Sequence, residues 1–570
     1  MFSKKRTSIY DVAPKATQGS ASPKFNNIFE REQFKKERET LSGNLSVKYS
    51  TTGNPFLDDF ALVANYRNPR TFEEVSKTMQ NLYQIDPLLT IKESTYIRLI
   101  TRNSKLFTGE KLSVQRGQGL KSEFFMRLVW LATKHPEIFK KNLPVFIVAG
   151  SWSDVFEILR LDLEYHGAAS RVLDWNFIIK FIASALGDKN QCNLVKKYLP
   201  KIKPVSKCTS LRSQCNNFIA KKIVKAIFDM GETDADKQRV YKAYRKLKAS
   251  GTAHQWQQAI SRQDYENLDF NTIAGKALAK LVNSKFLENH ALEETYEKWL
   301  ETKPVAKYTG FVYELFPCMG RCRMAPNLKS YQKDTLNKQF MQLIETAKQD
   351  MNRKSGLITV LDTSGSMNSL AAGLDVSAYH VAKSIGLYMS YLLTGPFQNS
   401  VLEFSNECEI KSWNGDTPYE KFYNYKGDGW CGTDVLSVAR LLVNLRKSGY
   451  KEEDFPSGVV CISDGEFNGT GKHSPIFTQF RDTLREVFSK EFVDNFTIVL
   501  WDIPNTYYSR DIRPKFESLC DEGNTFYISG FDPAGIAFLT GQSKSETAPR
   551  NAEELFNAAM NQELLNMLTL

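Results

Sequence analysis

The hydrophobic period of this 570-residue chain changes once, near Ser355, and that change sets what the two parts can fold into. From Phe56 to Asp350, apolar residues recur at three- and four-residue spacing. The segments are FLDDFALVANY, FEEVSKTMQNLYQI, SEFFMRLVWLATKH, WSDVFEILRLDLEYH, DWNFIIKFIASAL, NNFIAKK around Phe218 and NKQFMQLIETAKQDM, with Pro, Gly or Asn at the joins. This pattern predicts an all-α region. Several segments read as helix pairs of similar length without one strict period, which points to a loosely repeated helical array of the solenoid sort. After Ser355 short apolar runs alternate with helical segments: GLITVLD, SVLEFS, GVVCISDG, FTIVLWD and NTFYISG as strands, with VSAYHVAKSIGLYMSYLL and DVLSVARLLVNLRKS as helices. Strands alternating with helices predict an α/β doubly wound, Rossmann-like parallel sheet, whose ligands sit beyond the carboxyl ends of the strands.

A chain of this length exceeds what one hydrophobic core supports, so several domains are expected. Residues 1–50, rich in Ser, Lys and Glu and poor in aromatic or branched residues, read as a polar, disordered tail. Residues 51–350 read as the helical array, 355–545 as the α/β domain, and 546–570 as a closing C-terminal helix. Apolar runs such as Leu357 to Leu361 are far too short to cross a bilayer, and MFSKKRTSIY lacks the apolar stretch of a secretory signal, so a cytoplasmic protein is expected. The nine cysteines are odd in number and scattered, which argues for reduced thiols. Cys318 and Cys322 form one close pair, but the four ligands of a structural zinc are not there.

The residues with the strongest chemical signal lie after Ser355. Asp362, Ser364 and Ser366 follow the first strand in DTSGSM; Thr433 lies in GDGWCGTD before a helix; Asp464 lies in SDGE at the end of VVCI. Three separate loops therefore open on one edge of the sheet and can present two carboxylates and three hydroxyls to one point. Hard cations such as Mg2+ or Mn2+ prefer such oxygens, and with so few formal charges around it the ion keeps a position for an outside anionic oxygen. Taken alone, DTSGSM is equally a polar strand-to-helix turn, with Asp as cap and Gly at the bend. It is the agreement of Thr433 and Asp464 that favours the metal. Catalysis is not expected: DTSGSM is not the GxSxG elbow, no His can be placed beside the serines, and Ser364 stands where an aspartyl phosphatase would carry a second Asp. His380 falls mid-helix and reads as a packed residue.

Between Lys189 and Phe228 the chain carries Lys196, Lys197, Lys201, Lys203, Lys207, Arg212, Lys221, Lys222 and Lys225 without one Asp or Glu. Such a run attracts phosphates, and it is equally a solvated helix face. The formal charge of +11 gains meaning only through this clustering.

The five oxygen-bearing residues resemble the metal-ion-dependent adhesion site (MIDAS) of von Willebrand factor A domains: DxSxS, a Thr in GTD and an Asp in SDG. That resemblance implies direct contact of Ser364, Ser366 and Thr433 with the metal, and action of Asp362 and Asp464 largely through water. A helical array followed by an A domain is similar to the layout of the Ro ribonucleoprotein, or TROVE, family. TGNPFLDDFALV, RGQGLKSEFFMRLVWLATKHPEIFKKNLPVFIVAGSWSDV and LDFNTIAGKAL look like a plant and large-virus relative of that group, marked by a G-x-W-x-D turn that Gly150, Trp152 and Asp154 fill. The resemblance implies a HEAT-like or TROVE-like array binding non-coding or structured RNA, and a MIDAS docking an acidic group. The alternative is a protein-interaction or assembly scaffold using the MIDAS without RNA. Trp152 and Phe124 also fit plain core positions, since aromatic residues at helix joins usually pack inward.

Overall fold

The computed structural model describes residues 28–41, 47–64, 70–99, 102–114, 117–228, 233–251, 255–308, 310–318, 327–350, 356–371, 374–427, 432–471, 474–503, 523–529 and 551–570. The chain divides into two compact units, one of Arg70–Thr272 with Met560–Leu570, the other of Met1–Pro69 with Ile273–Ala559.

In the first unit, helices Phe72–Ile85, Pro87–Tyr96, Lys121–Lys134, Pro136–Ala149, Trp152–His166, Trp175–Gly187, Leu211–Ile227 and Asp234–Ala249 follow one another. Their starts are written in the sequence. Thr71 and Glu74 form a capping box, and Asp86 accepts the Leu89 amide at 2.8 Å ahead of Pro87. The G-x-W-x-D turn is built from the same forces. Asp154 accepts the Ser151 amide at 3.1 Å and pairs with buried Arg98 at 2.8 Å, while a side chain on Gly150 would stand 2.0 Å from that carboxylate. Trp152 is buried and donates its indole N–H to Gln191 at 3.0 Å, and Phe124 is fully buried. A second buried ionic group joins Arg127 to Glu123 at 3.0 Å and to Glu93 at 3.7 Å. The C-terminal residues return to this unit, where the Asn142 side chain donates to the Thr569 carbonyl at 2.6 Å and accepts its amide at 3.0 Å.

Ten short strands are described. Glu39–Leu41 (β1) and Val47–Tyr49 (β2) make one antiparallel hairpin, and Arg102–Lys105 (β3) and Lys111–Val114 (β4) another. The remaining six form one sheet: Leu357–Asp362 (β5), Ser400–Phe404 (β6), Cys408–Ser412 (β7), Gly458–Ser463 (β8), Thr497–Asp502 (β9) and Thr525–Ser529 (β10). Their order is β10-β9-β8-β5-β6-β7, parallel throughout except for β7, which runs antiparallel to β6 at the edge. Strand residues alternate between two cores. Leu361, Val460, Ile462, Val499 and Trp501 join one with helices Ser330–Asp350 and Ala378–Ser390, whereas Ile358, Val360, Cys461, Ile498 and Leu500 join the other with helices Leu436–Lys447 and Ile476–Leu484. Both faces are covered, which is why these strands read as unbroken apolar runs.

Two placements go beyond the period. Helix Ser330–Asp350, which periodicity groups with the helical array, packs Leu336, Phe340 and Ile344 against the sheet. Within the stretch read as a tail, helix Ile28–Arg38 and the β1–β2 hairpin bury Phe34 and Tyr49 with Ala61; residues 1–27 lie outside the described residues. At the other end, helices Ala552–Met560 and Glu563–Asn566 fall in the expected closing segment, of which 546–550 lie outside the described residues. Among the described residues no helix is long and apolar enough to cross a membrane. Cys192, Cys208, Cys215 and Cys408 carry free thiols, and Cys322 lies outside the described residues.

Candidate functional site

β5 and β8 are neighbours at the centre of the sheet, so the loops that follow them leave side by side at its carboxyl edge. Asp362, the last residue of β5, is fully buried and accepts the Ser364 amide at 2.8 Å through Oδ1. Its Oδ2 accepts the hydroxyl of Ser463, which ends β8. The turn Gly365–Asn368 brings the Ser366 hydroxyl oxygen to 3.2 Å from that of Ser364. Asp464 follows Ser463 directly, and its carboxylate accepts the Glu466 amide at 3.4 Å.

Thr433 comes from a third loop, stitched to its neighbours on both sides. Its carbonyl accepts the Asn468 amide at 2.9 Å, the Gly432 amide reaches the Asn406 side chain at 3.1 Å, and the Asp434 amide reaches the Ser405 carbonyl at 2.6 Å. The structure thus gathers the Asp362, Ser364, Ser366 and Asp464 loops through direct bonds or charge, and ties the Thr433 loop to the one carrying Asp464. All five side chains are buried, Ser366 being the most exposed at 9%.

The electrostatics are those of two buried carboxylates acting on each other. Burial raises the Asp362 carboxyl to about 7, and the charge of Asp464 pushes it the same way, against hydrogen bonds from Ser463 and Ser364. Two repelling carboxylates with the Ser364 and Ser366 hydroxyls are a donor set that fits a hard dication, which would relieve the repulsion, and the Thr433 loop lies tied to the one that carries Asp464. Among the described residues no group of three or more His, Cys, Asp or Glu could hold an ion, so a cation here would depend on hydroxyl and water oxygens.

Two residues at this edge carried no sequence signal. Ser463, besides holding Asp362, accepts the Gly465 amide at 3.0 Å. Lys48 of β2 is buried, donates to the Gly465 carbonyl, and lies 5.5 Å from the Phe467 ring. His380 is a core residue, as its helical position suggests: its Nε2 is 3.4 Å from the Tyr313 carbonyl and burial lowers its pKa to about 4.

In the helical unit, Lys201, Lys203, Lys207, Arg212, Lys221, Lys222 and Lys225 are exposed, and Lys196 and Lys197 are half-buried. Arg212 pairs with Glu157 at 3.2 Å, and Lys222 lies 5.5 Å from the Phe218 ring. Helix Asp234–Ala249 docks beside them through Tyr244, which donates to the Pro200 carbonyl at 2.9 Å, and Lys248, which reaches the Lys197 carbonyl at 3.2 Å. It adds exposed Lys242, Arg245 and Lys246. Their signal was the run KAYRKLK, which lies outside the acid-free stretch.

Residues 356–565 match a family model described as a domain of unknown function, DUF7788. That span holds the six-stranded sheet and all five oxygen-bearing residues. No curated protein matches the chain.

Proposed function

We propose that this chain is a metal-dependent binding protein and not an enzyme. Asp362, Ser364, Ser366, Thr433 and Asp464 hold one Mg2+ or Mn2+ in a von Willebrand factor A-type domain, and the ion docks an acidic group. The observation that carries this reading is the buried Asp362 carboxylate, pressed by Asp464 and surrounded by hydroxyl donors at the carboxyl edge of the sheet. Ser366, the most exposed of the five, marks the corner from which a ligand approaches.

The helical unit in this reading is a TROVE-like, Ro-like array whose basic helices grip RNA phosphates. The exposed cations of Leu211–Ile227 and the adjoining Asp234–Ala249 support it. Equilibrium dialysis with Mn2+ tests the first part: one ion per chain in the wild type, lost in Ser364→Ala, supports it, and no uptake overturns it. Filter binding of structured RNA across a salt series tests the second, with affinity that falls steeply as salt rises as the expected result. A second reading, an assembly scaffold that uses the metal without RNA, is favoured by the engagement of Arg212 with Glu157 and the half-burial of Lys196 and Lys197, which shrink the free positive surface. Absence of RNA binding with metal uptake retained would select it.

A further inference from the structure

We infer that Lys48, far from the site in sequence, is a positioning residue of the metal loop, and that the β1–β2 hairpin is thereby coupled to cation binding. The inference rests on the metal reading of the sheet edge. Its starting point is a cost. An ammonium withdrawn from water is unfavourable unless its hydrogen bonds are replaced, and a Met of similar length would fill the same space without that cost. Lys48 is nevertheless only 3% exposed. Its Nζ donates to the Gly465 carbonyl, 5.5 Å from the Phe467 ring, and a Cβ built on Gly465 would stand 3.5 Å from that Nζ and 4.0 Å from the Asp502 carboxylate.

Gly465 is the residue after Asp464, and it turns the loop with a φ of +75°, a conformation that favours glycine. Its two backbone groups are both held. The amide donates to Ser463 at 3.0 Å, Ser463 donates on to Asp362, and the carbonyl accepts from Lys48. Lys48 therefore fixes the outer end of a bonded chain whose inner end is the Asp362 carboxylate, and Asp464 sits in the middle of it. A partner that orients metal ligands from behind is worth about 10- to 100-fold in metal affinity.

The hairpin that delivers Lys48 is itself anchored. Lys48 pairs across it with Thr40, the Ser50 amide reaches the Arg38 carbonyl at 2.9 Å, and Tyr49 packs with Phe34, Ala61 and Tyr527 of β10. Tyr527 in turn donates to Asp502 at 2.7 Å. If ion binding tightens the loop that Lys48 grips, the coupling must run both ways: the ion steadies the hairpin, and the hairpin raises affinity for the ion.

The test compares wild type, Lys48→Met and Lys48→Arg by Mn2+ equilibrium dialysis and by amide hydrogen exchange over residues 39–49, with and without Mn2+. Expected are Mn2+ affinity about tenfold weaker in Lys48→Met, restoration of most of it in Lys48→Arg, and hairpin exchange that Mn2+ slows in the wild type and not in Lys48→Met. A wild type that takes up no Mn2+ overturns the metal reading and this inference together. Uptake in the wild type with unchanged affinity in Lys48→Met overturns this inference alone. Should Lys48→Met fail to fold, Lys48→Arg and the wild-type exchange decide: hairpin exchange indifferent to bound Mn2+ overturns the coupling.

Discussion

At Asp362 a carboxylate has left water with a second carboxylate beside it, and at His380 an imidazole has left water with the charge of Lys383 acting on it. The two act oppositely on stability. Asp362 is raised from 3.8 to about 7, so in the metal-free protein it contributes fully below 3.8 and that contribution is lost as pH rises through 7. His380 is lowered from 6.5 to about 4, so its contribution is complete above 6.5 and is lost as pH falls through 4. The windows overlap and oppose each other. Relative to the metal-free wild type, Asp362→Asn should therefore gain stability as pH rises from about 4 to 7, by about 1 kcal/mol or more. His380→Gln should lose stability over the same range, and denaturant melts at pH 4, 5.5 and 7 separate the two. Asp362→Asn should also abolish the rise in thermal midpoint that Mg2+ gives the wild type. At this scale the candidate site was legible where motif and topology coincide, as in DTSGSM, GTD and SDG. Ser463 and Lys48 were not legible, because a serine in a buried strand and a lysine in a polar hairpin acquire meaning only from what folds against them.

Element by element, legibility followed burial. The five parallel strands announce themselves because both of their faces enter a core. β7 does not: CEIKS is a five-residue edge strand on which Glu409 and Ile410 are both exposed, so its apolar positions form no buried run to read. Helix Ser330–Asp350 was readable as a helix but not as a partner of the sheet, since periodicity reports an apolar stripe and not the surface that receives it. The G-x-W-x-D turn is the clearest case of a motif explained by its element. Asp154 caps helix Trp152–His166 and neutralises Arg98, so Asp154→Ala leaves a buried guanidinium unpaired and should cost about 3–5 kcal/mol in denaturant unfolding. Replacing both partners, Arg98→Met with Asp154→Leu, should recover much of that loss, and a double variant as unstable as the single would contradict the assignment.

Over the whole molecule the chain carries a pair of buried carboxylates in one unit and a run of exposed cations in the other, and the two make separable predictions. Reversing Lys221, Lys222 and Lys225 to Glu should weaken RNA binding at least tenfold and flatten its salt dependence, while leaving Mn2+ uptake unchanged; a gel shift at two ionic strengths reads this directly. If loops from three distant stretches of sequence close on one divalent cation, an electron paramagnetic resonance titration with Mn2+ should show the free-ion signal quenched up to one equivalent per chain in the wild type and unquenched in Thr433→Ala combined with Asp464→Ala. A free-ion signal that grows linearly from the first addition to the wild type, or quenching unaltered by the double substitution, would contradict that closure.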